Sequence, residues 1–150
     1  MSSHYRRPLP PDLIAFSSAE GRRLFDEARA EGGMEIFFPL IEQFHTQSEP
    51  AFCGLGALVV ALNALGVDPG RLWQGPWRWF SEELLDCCLP LEQVRMQGVT
   101  LEQLTCLARC NGTEAELSRP EVGGEAALRM AIERTCRAVG SVLILGYDRA

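Results

Sequence analysis

Apolar positions crowd into one stretch of the chain. From Gln47 to Gly66 the sequence reads QSEPAFCGLGALVVALNALG, and after Pro50 it carries Leu55, Ala57, Leu58, Val59, Val60, Ala61, Leu62, Ala64 and Leu65. That run is too long for an ordinary strand and is closed by Gly66, so it predicts a buried helix around which the rest is organised. Upstream, Ser17-Ser18-Ala19-Glu20 fits a capping box, with the Ser17 hydroxyl and the Glu20 carboxylate meeting the free N–H groups of a helix start. The helix it opens is expected to bury Leu24, Phe25 and Ala28 and to stop at Gly32-Gly33. Ile36, Phe37, Leu40, Ile41 and Phe44 have helical spacing with Pro39 among them, so a second helix starts near Pro39 or kinks there. The proline-rich residues before Ser17 read as an extended arm lying against the body through Leu13, Ile14 and Phe16.

Beyond the central helix, Asp68-Pro69-Gly70 is a turn, because Pro presets φ and Gly relieves the backbone. Trp73, Trp77, Trp79 and Phe80 follow around Gly75-Pro76. Aromatics at this density either stack on a ligand or pin a long loop, and packing is the expectation. Ser81 is placed to cap a short helix carrying Leu84 and Leu85, and Leu91, Val94 and Arg95 form another that ends at Gly98. Thr100 and Gln103 make a second capping box, for a helix through Cys106 to Cys110 closed by Asn111-Gly112. Residues 113–119 alternate weakly as an edge strand would. Glu125 to Ala138 is helical with Leu128, Ile132 and Cys136 on one face, and Ser141 to Tyr147, SVLILGY, reads as a buried strand. Helices come first and sheet begins only at the end, which makes the class α+β.

Length and charge narrow the partners. At 150 residues the chain fits one domain, one able to bury roughly two-thirds of its unfolded surface. Its 20 acidic against 14 basic residues give −6, and the pairs Arg6-Arg7 and Arg22-Arg23 stand isolated, so nucleic acid is excluded as a partner. The start, MSSHYRRPLPPDL, lacks the apolar core of a signal peptide, and the longest apolar run is broken by Asn63 and too short to cross a bilayer. The expectation is a soluble, cytoplasmic protein with no membrane partner.

Candidate chemistry centres on Cys53. A thiol in or beside the first turn of the central helix faces unpaired N–H groups and the positive end of the helix dipole, which favour the nucleophilic thiolate. Gly54 and Gly56 leave room for a substrate, and the Gln47 amide, six residues upstream, could donate to an oxyanion beside the sulfur. A Gln, a short turn and a Cys opening a central helix is the arrangement of papain-like cysteine enzymes. The alternative is a buried structural cysteine. The other cysteines, at 87, 88, 106, 110 and 136, lie in a chain without a secretion signal, so reduced thiols are expected in place of disulfides.

The segments TQSEPAFCGLGALVVALNALGVDPGR, WQGPWRWF, LLDCCLPLE and CLARCNG together resemble the catalytic domain of phytochelatin synthase, the glutathione γ-glutamylcysteinyltransferase family. The resemblance is close from about Tyr5 to about Gly112 and continues weakly to Tyr147. It implies a papain-like fold, mainly the helical N-terminal lobe with the sheet lobe largely missing. It further implies a dipeptidyl transfer from glutathione to glutathione or a growing phytochelatin, through a thioester on Cys53, in the service of heavy-metal detoxification. Gln47 matches the oxyanion-hole glutamine; Glu49 either contacts the incoming amine or stabilises the turn, and Phe52 and Gly54 lie in the same substrate-binding motif. No tightly bound cofactor is implied. Cadmium or zinc would act as activator or as the metal-capped glutathione thiolate. Cys87, Cys88, Cys106 and Cys110 match family cysteines and are candidate ligands for a soft ion, although a CC pair with a C-x-x-x-C pair is not a strong zinc spacing. Cys136 has no motif around it and reads as core.

Three departures qualify the resemblance. The family's His lies in a Gly-His-Phe motif, with an orienting Asp further on, and neither motif occurs here; His4 and His45 are poorly placed to replace it. Phe52 stands where Tyr is common, and Pro39 interrupts a helix. Residues 1–150 are therefore expected to be the N-terminal portion of the catalytic domain, truncated before the His and inactive alone. A thiol-rich glutathione- or metal-binding module is the alternative, and a hydrolase that only removes glycine is another. A missing lobe would leave 141–147 uncovered, so self-association or a homodimer is expected.

Overall fold

The helix α3, Cys53–Ala64, occupies the centre, and its inward residues Leu55, Leu58, Val59, Ala61 and Leu62 are all buried. The computed structural model describes residues 8–119 and 124–147; His4, Tyr5 and the pair Arg6-Arg7 lie outside them, as does the first half of the expected extended arm. Among the described residues there are six α-helices: α1 Ala19–Ala30, α2 Phe37–Ile41, α3, α4 Leu91–Gln97, α5 Leu101–Cys110 and α6 Gly124–Cys136, with a 3-10 turn at Glu82–Leu84 before α4. α3 packs against α5, α2 and the 3-10 turn. Phe52, Phe80, Leu85, Leu89, Val94, Leu104 and Leu107 complete a single apolar cluster around it. No helix among the described residues is long and apolar enough to cross a membrane.

Local rules explain most helix boundaries. Thr100 accepts from the Gln103 N–H while the Gln103 side chain accepts from the Thr100 N–H, so the capping box of α5 forms as the pattern requires. Gly98 at φ 72° ends α4 and Gly112 at φ 88° follows α5, both in a region that side chains avoid. Pro39 falls in the first turn of α2, where its missing N–H would have found no helical partner, so the helix starts there and does not kink. In the turn after α3, the Gly70 N–H donates to Asp68 Oδ1 at 2.8 Å, and Arg78 pairs with the same carboxylate. The Gly70 N–H first, and the Arg78 guanidinium second, hold the Asp68 carboxyl below its usual range.

Several expectations are corrected. The cap of α1 is Ser18, whose hydroxyl accepts from the Gly21 N–H; Ser17 instead offers its carbonyl to Arg22. α1 buries only Gly21, because the chain at Ala15-Phe16 crosses close over it: a Cβ there would lie 2.3 Å from the Ala15 oxygen. Leu24 is left exposed, and Phe25 is spent on edge-to-face contacts with Phe16 and Phe37 at 5.7 and 5.1 Å. The tryptophans do not pack: Gln74-Gly75-Pro76-Trp77 reverses the chain tightly, and Trp73, Trp77 and Trp79 all stay exposed while only Phe80 enters the core. On α6, Leu128 and Ile132 are exposed as well, the helix being tied at its far end by Cys136 O to the Glu35 N–H and by Arg137 to Glu31 O.

The largest correction concerns the sheet. No strand forms at 113–119 or at Ser141 to Tyr147; among the described residues the only β-type pairing is an isolated bridge, Gln74 to Trp77. The described part is thus mostly helical and not α+β. The physical reason is that a strand needs a backbone partner. Residues 141–147 lie against α5 instead, Ile144 touching the core and Gly146 close to Leu101.

If α3 is the centre of the fold, Leu62→Ala should cost about 2–5 kcal/mol in urea unfolding, since Leu62 is fully buried. Leu128→Ala, on an exposed face, should stay within about 0.5 kcal/mol. Equal losses from the two would contradict this division of the packing.

Candidate active site

Cys53 is the first residue of α3, and its thiol is free and exposed. The preceding residue, Phe52, is the N-cap but offers no side-chain hydrogen bond, so the N–H groups of the first turn have no side-chain acceptor. The first helical bond runs from the Gly56 N–H to Phe52 O at 2.7 Å. The sulfur is carried outward because Phe52 is drawn inward: its ring is buried in the main cluster, which fixes the register in which Cys53 emerges.

Gly54 and Gly56 do different work from that expected. A Cβ on Gly54 would lie 2.3 Å from Val99 Cγ1, so the space beside it belongs to the α4–α5 connection and not to a substrate. A Cβ on Gly56 would find Glu82 Oε1 at 3.4 Å, Gln47 Cβ at 3.5 Å and the His45 ring at 3.8 Å. The loop before Cys53 therefore seats on the first turn of α3 at Gly56.

That loop is closed by its own polar groups. The Gln47 amide donates to Glu49 O at 2.8 Å and to Pro50 O at 3.0 Å, and the Phe52 N–H donates to Glu49 O at 3.0 Å. Glu49 pairs with Arg95 of α4 at 3.3 Å across a half-exposed surface. Glu82, from the 3-10 turn, is 4% exposed and accepts from both the Ser48 N–H and the Ser48 hydroxyl. His45 Nε2 stands 3.2 Å from Glu82 Oε1, near enough to pair when protonated but off the line of a hydrogen bond. Glu82 and Ser48 were not singled out from sequence. In the run FSEELL nothing tells which of two adjacent glutamates turns inward.

Four other cysteines are paired: Cys87 with Cys110 and Cys88 with Cys106, at Cα separations of 6.5 and 6.3 Å. Reduced thiols were expected there. The pairing follows from the docking of the 87–88 segment beside α5, on which Cys106 and Cys110 lie one turn apart. The sulfurs of Cys87, Cys88 and Cys110 all fall within 4.8 Å of one another. An open depression of about 600 Å³, lined by Glu102, Thr105, Cys106, Arg109, Cys110 and Leu117, flanks the pair; Cys53 is not part of it. Cys136, half-buried, is the other free cysteine.

Comparisons with known proteins point one way. The family model for phytochelatin synthase matches residues 4–150. Glutathione gamma-glutamylcysteinyltransferase 1 of Arabidopsis thaliana is 58% identical over 120 residues, which cover 79% of this chain and 25% of that protein. Glutathione gamma-glutamylcysteinyltransferase 3 of Lotus japonicus is 48% identical over 147 residues, 97% of this chain and 31% of its own. The Schizosaccharomyces pombe glutathione gamma-glutamylcysteinyltransferase is 54% identical over 110 residues, 73% and 27% respectively. The chain spans about a quarter to a third of the length of these relatives, as those coverages state.

The pairing is checked by thiol titration. Unfolded without reductant, the protein should show two reactive thiols, those of Cys53 and Cys136, and after reduction all six. Reduction should also lower stability, by about 3 kcal/mol for each bridge that closes a loop of this order. Six thiols before reduction would mean that the bridges do not form.

Proposed function

The chain belongs to the phytochelatin synthase family, and from that premise we propose that it carries the nucleophile of a γ-glutamylcysteinyl transfer from glutathione to a second glutathione or to a phytochelatin. The observation that supports this reading most directly is the free, exposed sulfur of Cys53 at the open end of a buried helix. The fold we assign with it is the helical lobe of a papain-like enzyme.

In the reaction proposed, the Cys53 thiolate attacks the carbonyl that joins cysteine to glycine in glutathione. The C–S bond forms, the C–N bond breaks, and glycine leaves with a proton on its amine. A γ-glutamylcysteinyl thioester remains on Cys53 until the α-amine of the acceptor displaces the sulfur. Splitting the transfer this way suits an activated thiol with fixed donors beside it. The first-turn N–H groups of α3 would serve as donors to such an oxyanion. Gln47 would join them by giving up one of its two bonds to the loop carbonyls of Glu49 and Pro50 as substrate enters. Glu49, held by Arg95 at the rim, is the carboxylate nearest in sequence for the incoming amine. Phe52 places this loop through its buried ring, and Gly54 lets α3 seat against Val99 of the α4–α5 connection.

The sequence contains no Gly-His-Phe, and His45 is turned toward Glu82, so the base that receives the thiol proton is not assigned to either histidine of this chain. Cadmium or zinc enters as the thiolate complex of glutathione, that is, as part of the substrate. Once reduced, Cys87, Cys88 and Cys110, with Cys106 as a fourth, would also suit a soft ion, because the clustered thiols give up their protons as they bind it. We place the activity in the cytoplasm, where the glutathione pool is kept reduced and these bridges would open by exchange. Self-association through 141–147, which forms no strand among the described residues, is part of the proposal and is read by light scattering.

A chimera tests the transferase reading: this chain replaces the matching stretch of the 58%-identical Arabidopsis protein. It should lengthen glutathione into γ-glutamylcysteinyl polymer. Cys53→Ala should abolish the product, and Gln47→Ala should slow it by about 10²–10³. The 150-residue chain alone, incubated with glutathione and cadmium, should release almost no glycine. Polymer from the Cys53→Ala chimera would overturn the assignment.

A further inference from the structure

We propose that Glu82 is a positioning residue that clamps the loop bearing Gln47 onto the first turn of the Cys53 helix. The inference deepens the transferase reading and rests on it for its catalytic meaning. Its physical content stands on the loop alone.

The argument begins with cost. A carboxylate that is 4% exposed has lost nearly all of its water, a loss made good only by strong partners. Every side-chain partner recorded for Glu82 lies in one short segment. The Ser48 N–H approaches Oε2 at 3.1 Å and Oε1 at 3.3 Å, the Ser48 hydroxyl donates to Oε2, and His45 Nε2 stands 3.2 Å from Oε1. Glu82 and Ser48 are 34 residues apart, so this is a tertiary tie and not a local turn. The tie lands at Gly56, where Glu82 Oε1, Gln47 Cβ and the His45 ring all meet the helix within 3.8 Å of the vacant Cβ position.

Glu82 is itself rigidly held. The 3-10 turn follows Phe80, whose backbone N–H and C=O both pair with the Asn63 side chain at 3.0 Å, near the far end of α3. Leu85, just beyond, is fully buried. The carboxylate therefore extends from a platform fixed to α3, reaches back to the helix's other end, and grips the residue next to Gln47. A side chain needed only to fill that volume could be apolar. Replacing Glu82 alone by a hydrophobe would instead leave the Ser48 N–H without its acceptor.

Hydrogen exchange on the 150-residue protein separates the two roles, with the wild type compared against Glu82→Leu, Glu82→Gln and Ser48→Ala. Exchange at Ser48 and Phe52 should rise roughly ten- to a hundredfold in Glu82→Leu, as expected for losing bonds to a charged acceptor, while α5 changes less than about twofold. Glu82→Gln keeps an acceptor for the Ser48 N–H and should restore most of the protection. Alkylation of Cys53 by iodoacetamide, measured against Cys136 in the same molecule, should change about threefold or more in Glu82→Leu and return toward the wild-type ratio in Glu82→Gln. Should Glu82→Leu not fold, Ser48→Ala alone decides, with faster loop exchange at unchanged α5. The proposal is overturned if loop exchange stays within about twofold, if loop and α5 loosen together, or if Leu serves as well as Gln. No glutathione enters these measurements, so an inactive chimera would sink the transferase reading without touching them, and an unaffected loop would sink the clamp alone.

Discussion

Burial of one face of α3 is the constraint from which the rest follows. Leu55, Leu58, Val59 and Leu62 are removed from water by α5, the 3-10 turn and the segment around Leu89. Burying each such side chain is worth about 1.5–3 kcal/mol. That packing sets the rotation and depth of the helix, and so sets where its first residue emerges. Phe52 is inside and Cys53 is outside for one reason: successive residues at a helix start point in different directions, and the apolar one takes the core.

The same constraint makes the surroundings of the sulfur rigid where rigidity is useful. Val99 fills the hollow at Gly54 and ties α3 to the start of α5. On the other side, Gly56 admits the loop residues His45 and Gln47 and the Glu82 carboxylate. A bulkier residue at position 54 would force apart elements that the core needs together. The site is therefore assembled from α3 with the loop that runs directly into it, and from the 3-10 turn that comes later in the chain. Cys53 stands exposed at the opening of the helix, where the first turn has no side-chain cap.

The clustered cysteines lie along α5 and the 87–88 segment. Two bridges join the 87–88 segment to α5, and that segment follows directly on the turn carrying Glu82. The bridges thus fasten the stretch just after that turn to α5. Structure and redox chemistry meet there through ordinary covalent connectivity.

Local information was enough for the central helix, for Cys53 at its mouth, for the Thr100 capping box, for the Asp68-Pro69-Gly70 turn and for the glycine stops of α4 and α5, because caps, turns and apolar runs are interactions between near neighbours in sequence. It misjudged Ser17 for Ser18 by one position: Ser17 has the glutamate three residues on that a capping box asks for, whereas Ser18, followed there by Gly21, caps with its hydroxyl alone. Tertiary structure alone decided that the tryptophans face outward, that Ser141 to Tyr147 finds no strand to pair with, that four thiols lie within bonding reach and that Glu82 turns inward to Ser48. Each of those outcomes depends on what lies across a gap of tens of residues, and a side chain's neighbours at that range are set by how the helices pack, which no periodicity along the chain records.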